Sequence, residues 1–241
     1  MIRISIKLIL SVFLILFLSS CGVGPQKHYS NFIEESLVDI DYNPVLLINV
    51  RIKNTINSKH FLKVKMIEFE KDGKKIVYRC LPQNMRYTID KSGFANNLIF
   101  IPLEAGDYKI NTIKGITWTD TSQGPSFGRG FFQLPIFIEC KVEKGKISYI
   151  GRIEAIMRPR KANDFAAGPA TPLIGQETSG IAKSTFDVSI VDAYDSDKIL
   201  FSSIYSELKT QDVQKQIISK WQRPSKYQYD PPNTHFGFFN E

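Results

Sequence analysis

Residues 60–80, HFLKVKMIEFEKDGKKIVYRC, decide the fold class. Leu62, Val64 and Met66 alternate with Lys63 and Lys65, the period of two that sends successive side chains to opposite faces of a β-strand. Asp72-Gly73 follows, two residues that tolerate positive φ and so close a tight hairpin onto Lys75-Ile76-Val77-Tyr78-Arg79-Cys80. The same alternation continues on either side. Upstream, Ile48, Val50 and Ile52 face one way and Asn49, Arg51 and Lys53 the other. Downstream come runs at 98–102, 108–118, 131–142, 147–157 and 186–191, separated by turn residues and not by helices. The pattern predicts a mainly β chain: an antiparallel β-sandwich of about eight strands over residues 44–192. No strand–helix alternation is present from which a doubly wound sheet could be built.

Beyond the strands the periodicity changes. Residues 158–183 carry three Pro and three Gly without a sustained period, and are expected to form a long exposed connection. Residues 193–222 read as a short C-terminal helical extension. Ile199, Leu200 and Ile204 sit at helical spacing within Asp195–Tyr205, and Val213, Ile217 and Trp221 form a second stripe over Thr210–Trp221. Residues 223–241, with Pro231-Pro232, show no period and read as an irregular tail.

At the other end, residues 1–20 combine Arg3 and Lys7 with an apolar run from Leu8 to Leu18 broken only by Ser11. That run is short for about 30 Å of hydrocarbon and reads as a cleaved signal peptide. Leu18-Ser19-Ser20-Cys21 resembles the lipobox of bacterial lipoproteins. The resemblance implies cleavage before Cys21, acylation of its thiol and anchorage in membrane lipid, with residues 21–43 as tether. Gly22 after the Cys is similar to the default outer-membrane sorting of Gram-negative lipoproteins, so the expected location is the cell envelope. Two turns inside the β region, Leu103-Glu104-Ala105-Gly106-Asp107-Tyr108 and the stretch Val142 to Gly151, resemble lipoproteins with transthyretin-like or PEGA-like β-domains. That likeness implies a fold and an envelope setting, not a reaction.

Composition narrows the partners. Loss of Arg3 and Lys7 with the leader takes the formal charge from +7 to +5. The remaining cations are scattered, which suits loose attraction to anionic lipid or a cell-wall polymer. Nucleic acid is excluded as an expected partner for want of a clustered stripe or a reading motif. No metal or cofactor motif is found: H-E-x-x-H, C-x-x-C, acidic calcium loops and phosphate loops are all missing. Asp192, Asp195 and Asp197 lie at a strand-to-helix junction, where capping accounts for them. Gly124-Pro125-Ser126-Phe127-Gly128 matches the G-x-S-x-G elbow of serine hydrolases. Its surroundings do not match: a polar run precedes Ser126 and a strand follows, where an elbow needs a strand and then a helix. Of His28, His60 and His235, only His60 falls inside the domain. Cys80 and Cys140 fall in different predicted strands. Export permits a disulfide between them, and two small core thiols are the other option. The expectation is a non-catalytic binding, scaffolding or assembly-support module with an envelope protein or cell-wall polymer as partner. The alternatives are a hydrolase using Ser126, or a carbohydrate- or peptidoglycan-binding module marked by an exposed row of Trp and Tyr.

Overall fold

The computed structural model describes residues 44–119, 129–169, 174–218 and 220–225. Among the described residues, ten strands form two sheets, packed as a mainly β sandwich. They are β1 Val45–Asn54, β2 His60–Lys71, β3 Lys74–Arg79, β4 Met85–Ile89, β5 Ala95–Pro102, β6 Gly106–Thr119, β7 Phe131–Val142, β8 Ile147–Pro159, β9 Ser184–Val191 and β10 Val213–Lys215. The first sheet runs β10-β8-β1-β5-β4, with β9 also on β8, and the second runs β3-β2-β6-β7. Pairing is antiparallel except between β1 and β8 and between β10 and β8, which are parallel.

The alternating runs become strands because one side chain in two can leave water. Leu46, Ile48, Val50 and Ile52 of β1, and Leu62 and Val64 of β2, all enter the core between the sheets. Asp72 and Gly73 take φ of 51° and 70°, the left-handed pair that a two-residue hairpin requires, and Lys71 registers with Lys74 across it. The turn before β6 returns Tyr108 to the same core, where its hydroxyl donates to Glu104 O at 2.9 Å. Tyr149, in the other quoted turn, does something different. It is buried on the outer face of the first sheet, beneath the C-terminal segment.

That outer face holds a second core. Val45, Leu47, Leu98, Phe100, Ile147 and Tyr149 are covered there by Phe201, Tyr205, Leu208 and Val213. Phe201 belongs to a helix, α2 Tyr194–Ile204, close to the span its periodicity predicts (α1 is the short helix Ile174–Thr178). The second predicted helix, Thr210–Trp221, does not form. In its place β10 lies parallel to Ile147–Tyr149, and Gln216 and Ile218 go on to donate to the carbonyls of Tyr149 and Ile150. The stripe Val213, Ile217, Trp221 has a spacing of four, which fits a period of two as well as one of 3.6. β9 covers only Arg152 to Pro159 of β8, so the first half of that strand's edge needed a partner.

The connection 158–183 is also less exposed than expected. Phe165, Ala167 and Ile181 are fully buried, and Ala167 bridges two elements by accepting from Gln133 of β7 and donating to Ser184 of β9. This stretch therefore caps the β7 edge.

Candidate functional site

Where β2 and β6 pair, Phe61 faces Trp118 and Lys63 faces Ile116, with Phe61, Lys63 and Trp118 on the outer side of the sheet. β3 pairs with β2 only from Met66 to Lys71, so the start of β2 has no strand on its far side. Asn97 of β5, fully buried, fills that role: its Oδ1 accepts from Val64 N at 2.9 Å and its Nδ2 donates to Val50 O at 3.0 Å. Tyr87 of β4 registers with Asn97 and reaches round this gap. Its ring meets Trp118 edge-on, with centroids 6.2 Å apart, while Phe61 lies tilted against the same indole at 6.5 Å. The Lys63 ammonium stands 5.6 Å from the Tyr87 ring centre.

Trp118 is left 40% exposed, although two rings hold it in place. The Tyr87 hydroxyl is buried without a hydrogen-bond partner, as is Nδ1 of His60, which alternation turns to the other face of β2 from Phe61. Burial pushes the Tyr87 phenol well above, and the His60 imidazole below, their ordinary values. Chemically this is a rigid aromatic face with a cation beside it. It suits stacking and charge pairing, and no nucleophile lies in it. The carbohydrate-binding alternative called for an exposed row of Trp and Tyr on one sheet face. The structure has instead a cluster of three rings drawn from three strands and two sheets.

No family model matches the chain. No curated protein matches it either. Among solved structures, a leucine-rich repeat protein from Bacteroides thetaiotaomicron is similar at 10% identity over 46% of this chain and 14% of that one, with a TM-score of 0.28. A likeness that slight carries no argument about fold or function.

The other candidate residues are distributed as follows. Cys21, Ser126, His28 and His235 lie outside the described residues. Cys80 and Cys140 are both free and buried. Cys80 follows β3 and donates its N–H to Lys65 O of β2, whereas Cys140 of β7 registers with Tyr108. β3 and β7 are opposite edges of one sheet, two strands apart, which at about 4.8 Å per step sets the thiols about 14 Å apart or more. A disulfide spans less than about 7 Å between Cα atoms, so these are core thiols. Burial, with Asp107 adding to it, pushes Cys140 up to about 12, and burial raises Cys80 further.

Of the three junction aspartates, Asp192 accepts from Tyr194 N and pairs with Lys215. Asp197 does more than capping accounts for. Fully buried in the first turn of α2, it accepts from Asn49 Nδ2 at 2.8 Å, Tyr149 Oη at 2.7 Å and the Arg152 guanidinium, which locks the helix to the sheet. Among the described residues, no group of three or more His, Cys, Asp or Glu is arranged to hold a metal ion. No helix among them is long and apolar enough to cross a membrane.

Proposed function

We propose that this chain is a lipid-anchored envelope lipoprotein whose sandwich is a non-catalytic binding module. It is held through acylated Cys21 and makes its contact through the Phe61–Tyr87–Trp118 surface. The observation that carries the reading is that Trp118, packed between Phe61 and Tyr87, is left 40% exposed. The ten residues of β1 lead about 30 Å from Val45 to Asn54. The Asn54 side-chain amide donates to His60 O at 3.0 Å, one residue from Phe61. The exposed aromatic face therefore lies near the Asn54 end of β1, at the opposite end of that strand from Val45.

Two measurements test this reading. Cys21→Ala should abolish incorporation of labelled fatty acid, and continued labelling would defeat the anchor. A photocrosslinking residue at Lys63 should capture an envelope component in living cells. The same residue at Lys144, in the turn beside Val45 at the other end of β1, should capture none. Equal capture from both positions, or none from Lys63, would overturn the assignment of the contact surface.

A further inference from the structure

We infer that residues 213–225 form a latch, a C-terminal strap that releases from the sandwich as one unit and uncovers the outer edge of β8 when it does. The strap begins on one sheet and ends across both. Val213 to Lys215 pair with Ile147 to Tyr149 of β8, and Gln216 and Ile218 go on to donate to the carbonyls of Tyr149 and Ile150. Trp221 then reaches the second sheet, donating Nε1–H to Pro135 O of β7 at 3.1 Å. Arg223 turns back to β9, where it donates to Phe186 O at 2.8 Å and pairs with Asp187, and with Asp164 of the connection. β8 changes partner at Gly151, whose φ of 104° separates the stretch held by the strap from Arg152–Pro159, held by β9. The two halves of that edge are thus closed by different elements.

The strap is held less firmly than β9. β9 has eight residues and buries Ser184, Thr185 and Phe186, whereas β10 has three. Among the described residues of the strap only Val213 and Pro224 are buried, and Ile217 in its middle is 37% exposed. Lys209 to Asp212 ahead of it are exposed, which places the hinge there. Nothing beneath the strap depends on it for charge balance. Asp164 and Asp187 both pair with Arg158 as well, so departure of Arg223 leaves neither carboxylate alone. The carbonyls it occupies, on Tyr149, Ile150, Pro135 and Phe186, lie on strand edges where water can take its place. The Arg223–Asp187 and Lys215–Asp192 pairs are partly exposed, where an ion pair contributes little. What holds the strap is an apolar anchor toward each end: Val213 in the second core with Leu208 and Phe201, and Trp221 against Phe165. Loss of either anchor leaves the backbone bonds between them on an edge with little burial to keep them, so the strap opens whole. Opening leaves Ile147 to Ile150 as an unpaired strand edge, which the closed latch keeps covered.

The test is hydrogen exchange followed by NMR on the folded mature chain carrying Cys21→Ser, which keeps lipid out of the measurement. Three protons report on the strap: the Gln216 and Ile218 amides nearer the hinge, and the Trp221 indole N–H beyond them. In wild type all three should share one protection factor, about a hundredfold or more below that of the amides of the central strand β1. Val213→Ala, at the hinge end, should speed all three by one common factor of about ten. Arg223→Gln, at the far end, should also speed all three together, by a smaller factor. The hinge-end variant decides the matter, because a C-terminus that merely frays loosens from Arg223 inward and does not feel Val213. Trp221 exchange indifferent to Val213→Ala would reduce the latch to a fraying end. Three protons as protected as the amides of β1 would make the strap a permanent part of the sandwich. Either result overturns the proposal.

Discussion

A fully buried aspartate with three side-chain partners is where single substitutions should cost most. Asp197 accepts from Asn49, Tyr149 and Arg152, and removing its carboxylate would leave the Asn49 and Tyr149 donors unpaired and Arg152 with only Glu154 at 3.8 Å and the Ser196 hydroxyl. Asp197→Ala should therefore destabilise the fold by about 3 kcal/mol, because two buried donors lose their acceptor and Arg152 its closest carboxylate. Tyr149→Phe removes one donor to the same carboxylate and should cost about 1–2 kcal/mol. Urea midpoints measure both, and a cost below that of Tyr149→Phe for Asp197→Ala would show the carboxylate to be incidental. The cysteines test burial in another way. Since the thiolate is the reactive form, thiols raised to about 12 and beyond should resist alkylation at pH 8 in the folded protein and react at once in denaturant. Rapid native labelling of either thiol would contradict their place in the core.

At the scale of elements, the C-terminal segment is the sharpest test, because its apolar residues fit two secondary structures. On a docked helix Val213, Ile217 and Trp221 would share one buried stripe, and truncating each would cost a similar amount. As an extended strap they diverge. Trp221 packs edge-on to Phe165 and donates Nε1–H to Pro135 O at 3.1 Å, whereas Ile217 stays 37% exposed. Trp221→Ala should thus cost about 2–3 kcal/mol and Ile217→Ala under about 1 kcal/mol, read from urea midpoints. Equal costs would restore the helix. The same segment shows how far sequence reading reaches. The strands were legible because period-two burial is written locally, and so was the hairpin, since Asp72-Gly73 carries its own turn geometry. The parallel neighbours β1 and β8, and β10 on the edge of β8, were not legible, because which strands lie side by side depends on residues far apart in the chain, Val45 with Ile147 and Val213 with Ile147. The aromatic site was hidden for the same reason. Phe61, Tyr87 and Trp118 meet only through a register and a sheet order that no local pattern encodes.

Ion pairs join the parts of the whole molecule, and they set its response to acid. Arg158 of β8 pairs with Asp164 of the connection and Asp187 of β9, and Arg223 of the C-terminal strap pairs with the same two aspartates. Further along the same sheet, Arg51 of β1 joins Asp90 to Glu154. The Arg158 hydrogen bonds hold the Asp164 carboxyl below its ordinary range. Burial would raise Glu68 and Asp90, but Lys114 and Lys75 around the first and Arg51 and the Phe94 N–H beside the second outweigh it, so both are lowered too. A carboxyl with a depressed native value binds fewer protons folded than unfolded. Its stabilisation is therefore complete above the ordinary carboxylate value near about 4 and is lost as pH falls through the lowered native value. His60 acts in the same direction at higher pH. Burial lowers its native value beneath the ordinary figure of about 6.5, so below that point the unfolded chain takes up the proton first and stability drops. The urea midpoint should accordingly hold from pH 8 to 7, fall by a small step below about 6.5, and fall steeply below about 4. His60→Gln should erase the first step and leave the second, and added salt should shrink the second, since these pairs are partly exposed. A midpoint that rises on acidification from pH 7 to 5, or a first step that persists in His60→Gln, would mean that other groups govern the acid response.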